Sequence, residues 1–432
     1  MPEAAEFNTG LLEFLAGSPT PFHAAAGLAA ALAGAGFEAL SEAGEWTLRP
    51  GGRYYVLRNG SSLIAFVLGA DPRQRSGIRM LGAHTDSPCL MVRPNPECRR
   101  RGYFQLGVEV YGGVLLNPWF DRDLSLAGRV VLRDTEGALR ARLVDFRRPV
   151  AVIPSLAIHL DRDANRQRSI NPETDIQPLL GQLEGAARGD LRRLLAAELG
   201  VAVEQVLDWE LCLYDTQPPA LVGLESEFIA SARLDNLLSC HVGIRALLEA
   251  EGEATRLVVC SDHEEVGSGS ASGAQGPFLE SVLTRLVPDP AERARVLAAS
   301  LLLSLDNAHG IHPNFPARHD DNHAPLLNHG PALKVNHSQR YATNSLTAAR
   351  VREWARAADI PLQSFVARND MGCGSTIGPI TATRLGVPTL DLGVPTFAMH
   401  SIRELAGAAD AHALFRLAKR CFGHPGSLAV GD

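Results

Sequence analysis

The sequence predicts an α/β protein with a second, β-rich domain inserted into it, and three observations carry that prediction. Short apolar runs of the kind found in buried strands, at 62–68, 78–83, 256–260, 301–305 and 388–392, alternate with long helical patterns at 234–251, 291–299, 345–358, 376–385 and 401–420. Buried strands alternating with helices build a sheet with helices on both faces, hence three layers. Residues from about 92 to 224 read differently: alternating strands with turn glycines follow one another without intervening helices, the pattern of an antiparallel β domain. Finally, 432 residues are too many for one compact core, so two domains are expected.

The chain opens with Ala/Leu-rich helical patterns at 9–18 and 20–36, where Thr20-Pro21 supplies an N-cap and a proline in the first turn. The boundaries predicted from the pattern are 1–91 and 225–432 for the α/β domain and 92–224 for the insert. Proline-rich segments, Arg93-Pro94-Asn95-Pro96 and Gln217-Pro218-Pro219, mark both junctions. Inside the insert, strands are expected at 103–111, 128–133, 139–146, 150–160 and 209–213, with a helix at 188–199. The densest apolar run, 297–305, spans about half a bilayer and is broken by Ser300 and Ser304, so it reads as a buried strand or helix end and no transmembrane segment is expected.

Apolar residues make up 46% and charged residues 21% of the chain, ordinary globular composition. A net charge of −7 with acids and bases interspersed offers no footprint for nucleic acid or an anionic membrane. The seven cysteines are scattered and form no CxxC pair, which suits reduced thiols in a cytoplasmic protein. The acidic, polar start MPEAAEFNTG has no basic and apolar signal pattern, which points the same way.

Five short segments place acids and histidines together, and four of them follow a strand-like run: 82–87 with His84 and Asp86, 231–236 with Asp235, 261–268 with Glu264 and Glu265, 304–309 with Asp306 and His309, and 397–401 with His400. Open α/β sheets gather their sites at the carboxyl ends of strands. A hydrolytic two-metal centre needs about three N/O ligands per ion, a bridging carboxylate, and a further carboxylate that takes a proton from water. His84, Asp235, Glu265, Asp306 and His400 supply five ligands, and Glu264 the unliganded base. Adjacent glutamates suit this division because their side chains diverge. Asp86, two residues past His84, is placed to accept the imidazole N–H. Taken singly, a buried His or Asp is more often a satisfied polar group than a ligand, and Glu264-Glu265 alone reads also as a solvated helix start; the full set in order overrules both.

The segments LGAHTDSPCL, SARLDNLLS, SDHEEVGS, SLDNAHGIHPN, KVNHSQRYATNS, VARNDMGCGSTIGPI and LDLGVPTFAMHSIRE, in this order, make the chain resemble the aspartyl aminopeptidases, relatives of the vacuolar aminopeptidases, over essentially its whole length. The resemblance implies a three-layer mixed-sheet metallopeptidase domain with an inserted antiparallel β-rich dimerisation domain. It implies His84 and Asp306 on one ion, Glu265 and His400 on the other, Asp235 bridging, and Glu264 as general acid/base. The ions would be divalent, zinc foremost, with manganese or cobalt acceptable to such a donor set. The partner would be a peptide, and copies of the chain would form dimers that assemble to a dodecamer.

The same resemblance places Lys334, His309 and Tyr341 in the substrate pocket, with the Lys334 ammonium receiving an acidic first residue through a charge-assisted hydrogen bond. It also sends His159, read here on an apolar strand, into the active site of a neighbouring subunit. Gly372 and Gly374 do not form a dinucleotide loop, because the third glycine of 372–378 falls one residue late for GxGxxG; they are read as offering backbone N–H groups to substrate. Cys373 has no assigned base and is not taken for a nucleophile. The six histidines of 309–337 are read mainly as loop and pocket wall. The expected activity is removal of N-terminal Asp or Glu from peptides. The alternatives are a neutral-residue preference, a metallo-deacylase with the same site, or a metal-stabilised scaffold.

Overall fold

The protein is described here from a computed structural model, over residues 2–71, 76–183, 190–426 and 428. It divides into two compact units, one of residues 1–86, 219–399 and 404–432, the other of 87–218 and 400–403.

The larger unit is built on a nine-stranded mixed sheet. Its centre is four neighbouring parallel strands, in the order Arg256–Ser261, Arg79–His84, Leu301–Leu305 and Thr389–Gly393. Antiparallel neighbours, Ser62–Val67 on one side and Ala332–Lys334 on the other, extend it. The central strands are buried along their full length, as near-continuous apolar runs predict for strands covered on both faces. Alternation sends successive residues into different cores. Leu81, Ala83, Val258, Leu303 and Leu305 pack under the helices Pro2–Ala16, Pro21–Gly34, Leu234–Glu249, Ser345–Ala357 and Asp410–Phe422. Met80, Leu257, Val259 and Leu302 pack under Phe278–Leu286 and Pro290–Ala298. Thr20 caps the second helix, accepting from the backbone N–H of His23, with Pro21 in the first turn. A five-stranded sheet in the order Ala220–Val222, Phe228–Ser231, Glu404–Gly407, Pro395–Phe397, Ala308–His309 completes this unit.

The smaller unit is a six-stranded antiparallel sheet in the order Leu139–Asp145, Leu124–Arg133, Val206–Asp215, Cys89–Arg100, Tyr103–Tyr111, Leu179–Gln182. The helix Leu191–Leu199 lies over it, capped by Asp190 and closed by left-handed Gly200. Leu191 and Leu195 join Leu90, Leu106, Leu126 and Leu211 in a core of the unit's own. The beginning of the predicted helix at 188–189 lies outside the described residues.

Two predicted elements are corrected. The pattern at 401–420 does not form one helix: Glu404–Gly407 is a strand, and the helix runs from Asp410 to Phe422. The strand pairs with Phe228–Ser231 on one side and Pro395–Phe397 on the other, and this pairing outweighs the helical propensity of the Ala/Leu-rich stretch. Residues 150–160 do not form a strand either. Ala151, Val152 and Ile153 make isolated bridges, after which the backbone closes a turn in which the Leu160 and Asp161 N–H groups donate to the Ala157 carbonyl. Leu156, Ile158 and Leu160 are exposed, so the apolar content that suggested a buried strand lies on the surface. Among the described residues no helix is long and apolar enough to cross a membrane.

Candidate metal centre

Four of the five predicted ligands lie in the larger unit at the carboxyl ends of its strands. His84 ends Arg79–His84, Asp306 follows Leu301–Leu305 directly, and Glu264 and Glu265 lie just past Arg256–Ser261. Asp235 stands past Phe228–Ser231, in the first turn of the helix Leu234–Glu249. The turns that aim these side chains are conformationally costly. Arg233 and His263, immediately before the Asp235 and Glu264 segments, adopt left-handed φ of 60° and 62°. Such backbone costs non-glycine residues roughly 1–3 kcal/mol each and persists where the surroundings over-determine it. At Gly393 the neighbouring strand passes so close to Asp306 that a Cβ would lie 1.8 Å from its carbonyl oxygen, so only glycine fits.

The donor atoms converge. His84, Asp235 and Asp306 each offer a ligand atom within 4.8 Å of the others, and so do His84, Glu264 and Glu265. His84 Nε2 lies 3.4 Å from Asp235 Oδ1, 3.9 Å from Asp306 Oδ1 and 4.0 Å from Glu264 Oε2. These separations are long for hydrogen bonds. They suit donors sharing an ion: two ligands each about 2.0–2.1 Å from a tetrahedral zinc stand about 3.4 Å apart. Buried imidazole and carboxylates, with no thiolate, form a set suited to zinc or a comparable divalent ion.

In the larger unit, side chains from other elements hold the main chain at or next to each ligand. The Asp86 carboxylate accepts from both Glu264 N and Glu265 N, at 3.1 Å each, so one buried carboxylate fixes the base and the ligand together. Glu404 Oε2 accepts from Asp235 N at 2.9 Å. Asn236 Nδ2 donates to the Leu305 carbonyl at 2.7 Å, next to Asp306, and the Cys240 thiol donates to the His84 carbonyl at 3.0 Å. The role expected of Asp86 is thereby changed. His84 Nδ1 lies 3.0 Å from the Asp86 main-chain carbonyl and 3.4 Å from its Oδ1, so the carbonyl is the nearer acceptor for the imidazole N–H.

His400 belongs to the 400–403 segment of the smaller unit. Its Nδ1 lies 3.1 Å from the Gly113 carbonyl, which favours the tautomer with its lone pair on Nε2.

The electrostatics are those of a crowded, desolvated cluster. Burial pushes the Glu264 carboxyl up to about 7; His84 opposes the rise, and the charges of Asp306, Asp235 and Asp86 add to it. Burial, with Asp235 next, holds Glu265 well above the usual carboxylate range. For His84, burial opposes the charged form, but the carboxylates of Asp235, Asp306 and Asp86 overcome it and raise its pKa.

The sequence matches the family Aminopeptidase I zinc metalloprotease (M18) over residues 14–422. The chain belongs to the M18 aminopeptidase family. It is 57% identical to a probable M18 family aminopeptidase 2 of Azotobacter vinelandii over 424 residues, 97% of this chain and 99% of that one. The cryo-EM structure of the Ape4 and Nbr1 complex contains a chain that superposes with a TM-score of 0.94 at 40% identity, covering 97% of this chain and 86% of that chain. The mApe1 dodecamer of S. cerevisiae gives 0.84 at 30% identity, covering 96% and 95%. This M18 aminopeptidase is therefore a metalloprotease enzyme, with the mixed α/β fold of its relatives.

The residues predicted for the substrate pocket of this M18 chain fall into three places. Lys334 is buried, and its ammonium donates to the main-chain carbonyls of Asp306 and Asn307 at 3.2 and 2.9 Å. It also lies 3.3 Å from Asp306 Oδ2 and 4.9 Å over the Tyr341 ring. Tyr341 is buried beside it, its phenol pKa raised by burial and by Cys373. His309 and Gly372 line a cleft on the other side of Phe365, and Gly374 lies in the exposed loop leading to Thr376, the N-cap of Ile377–Leu385. His159 is exposed in the turn at 157–160 of the smaller unit, so it is neither a core histidine nor on a strand. Sequence reasoning assigned no task to Glu404, Asp391, Cys240 or the cleft phenylalanines. The fully buried Asp391 accepts from Ala342 N at 2.6 Å and Thr376 Oγ1 at 2.5 Å, joining the Tyr341 loop to the Gly372–Gly374 loop. Asp391 and Glu404 both sit in the motif LDLGVPTFAMHSIRE, which also contains His400; a buried acid amid LDLG was the available signal.

Proposed function

We propose that this M18 aminopeptidase removes N-terminal Asp or Glu from peptides, using two metal ions and Glu264 as general acid/base. The carrying observation is the spacing of His84, Asp235 and Asp306 beside a second, adjacent glutamate pair. His84 and Asp306 would hold one ion and Glu265 and His400 the other, with Asp235 shared, as the family resemblance implies. Bound ions supply Lewis-acid polarisation of the scissile carbonyl and acidify a water. Glu264 takes the proton and returns it to the leaving amine. Asp86 keeps Glu264 and Glu265 in fixed relation through their backbone N–H groups, so base and ligand cannot drift independently. Zinc is the first candidate, with manganese or cobalt fitting the same donors.

The acidic preference rests on Lys334, an ammonium with little solvent around it, which favours a carboxylate partner. One observation favours a neutral-residue preference instead: the same ammonium is engaged by Asp306 and two main-chain carbonyls. The discriminating experiment compares kcat/KM on metal-loaded protein for peptides beginning with Asp, Glu, Leu and Lys, each with a free and an acetylated amine. Strong preference for free-amine Asp or Glu supports the first reading; preference for Leu moves the specificity and leaves the mechanism.

The assembly is proposed to be a homo-oligomer of dimers, as the solved mApe1 dodecamer suggests. The smaller unit would form the dimer contact, with His159 and the exposed Leu156, Ile158 and Leu160 at the neighbour's site. Full activity in a proven monomer would refute the contribution of His159 in trans.

A further inference from the structure

The cleft lined by His309, His312, Phe315, Phe365, Met371 and Phe397 has a wall that the proposed chemistry does not use. One of its lining residues, His309, is three residues past Asp306 in the same strand-end segment. It is distinct from the place of Lys334 and Tyr341, neither of which lines it. Phe365 stands between them: its ring meets Tyr341 edge-on at 6.3 Å and His309 edge-on at 5.7 Å. The wall is closely built. The His312 ring tilts against Phe315 at 4.9 Å and Phe397 at 5.4 Å, and a Cβ on Gly310 would lie 3.0 Å from the Phe397 ring and 2.5 Å from Leu327. Yet Phe315 is 60% and Met371 45% exposed, two large apolar side chains left open to solvent at the rim.

A peptide whose scissile carbonyl lies at the metal centre has a residue on either side of that bond. If the first residue goes toward Lys334 and Tyr341, the second goes elsewhere, and this cleft lies across Phe365 from them, with His309 in its lining three residues past Asp306. We propose that it receives the side chain of the second residue, the one that becomes the new N-terminus, and selects a large apolar or aromatic one. Such a side chain covers Phe315 and Met371 and packs on the His312–Phe397 rings, where aromatic pairs gain beyond area alone. This rests on the aminopeptidase reading given above.

The test is a peptide series with Asp first and Ala, Leu, Phe, Glu or Lys second, repeated with Leu first, on metal-loaded wild type and on Phe315→Ala and Met371→Ala. Two variants are used so that one failing to fold leaves the other. Phe and Leu in second place are expected to exceed Ala in kcat/KM by on the order of tenfold, the scale on which apolar pockets separate side chains by size. Either variant is expected to bring the Phe-to-Ala ratio to within about twofold to threefold, with the mass of the assembly unchanged by light scattering. The ratio is read rather than the rate, so a partly inactive preparation does not mimic the effect. A flat second-residue profile in wild type overturns the proposal, as does an unchanged ratio in the folded variants. A changed assembly mass with an unchanged ratio also overturns it, because the rim is then a contact between copies. Hydrolysis of no peptide in either series would instead defeat the aminopeptidase reading itself.

Discussion

The nine-stranded sheet of the larger unit and the six-stranded sheet of the smaller unit differ in use. The nine-stranded sheet ends in buried acids and an imidazole whose main chains are each held by another element, whereas none of residues 87–218 of the smaller unit belongs to a described group of potential metal ligands. The smaller unit carries exposed pairs such as Arg93–Glu173 and Arg140–Asp134, whose side chains are 40% and 67%, and 66% and 27%, exposed. At the strand ends the His84 and Asp235 side chains are only 2% and 4% exposed. Desolvated charge is expensive unless something of opposite sign shares the site, so a buried acidic cluster marks a task for a cation. Exposed pairs contribute little and mark none. Substitutions should therefore act very unequally in the two regions.

The largest effect is expected at Glu264. Glu264→Gln should lower kcat by about 10²-fold or more, the range of general acid–base catalysis, while the metal content measured by plasma mass spectrometry stays at the wild-type level. Near-intact hydrolysis by this variant would remove Glu264 from the mechanism.

Asp86→Ala comes next. It strands two backbone donors that the carboxylate now accepts from, and loss of such outer-shell carboxylates typically costs about 10–100-fold in metal affinity or activity. Competition against a chelator measures the affinity, and Asp86→Asn, which keeps one acceptor oxygen, should lose less than Asp86→Ala.

A smaller, pH-dependent effect is expected behind the site. His241, in the helix that carries Asp235, packs between Phe7 and Phe14, and burial, with Arg245 adding, holds its pKa down to about 3. Its unfolded value is about 6.5. A depressed pKa means that the unfolded chain binds the proton more readily. The contribution is intact above about pH 6.5 and is lost progressively as pH falls toward 3. Denaturant titrations at pH 7, 5 and 4 should show this acid sensitivity reduced in His241→Phe; identical slopes for the two proteins would exclude His241 as its source.

The smallest effect is expected in the other sheet. Arg140→Ala removes an exposed ion pair with Asp134 and should leave the melting temperature within about 1 °C of wild type by calorimetry. A drop of several degrees would mean that the smaller unit depends on its surface charges in a way its core does not suggest.

The contrast also explains what could be read from the sequence. The central strands were legible because burial on both faces leaves an unbroken apolar run, and His84, Asp306 and the Glu264-Glu265 pair stand out as charge at the end of such runs. The strand Glu404–Gly407 was not, because its apolar content fits a helix equally well and only its partners at 228–231 and 395–397 decide the matter. His159 was misplaced for the opposite reason: Leu156, Ile158 and Leu160 alternate like a half-buried strand, yet they are exposed. The clamps from Asp86, Glu404 and Asn236 were beyond reach, since each joins residues at least 69 positions apart and depends on backbone N–H and C=O directions that no spacing encodes. The Phe315–Phe397 cleft was hidden likewise, being assembled from three segments distant in sequence, 309–320, 365–372 and 396–399.

The most direct test of the metal centre is a count. The protein is stripped with chelator, loaded with zinc, passed through gel filtration, and its zinc per chain determined by plasma mass spectrometry alongside the hydrolytic rate as loading proceeds. Two ions per chain, with hydrolysis appearing as they bind, is the predicted result. A saturated value of one or none in fully active protein would contradict a two-ion site built on His84, Asp235, Glu265, Asp306 and His400.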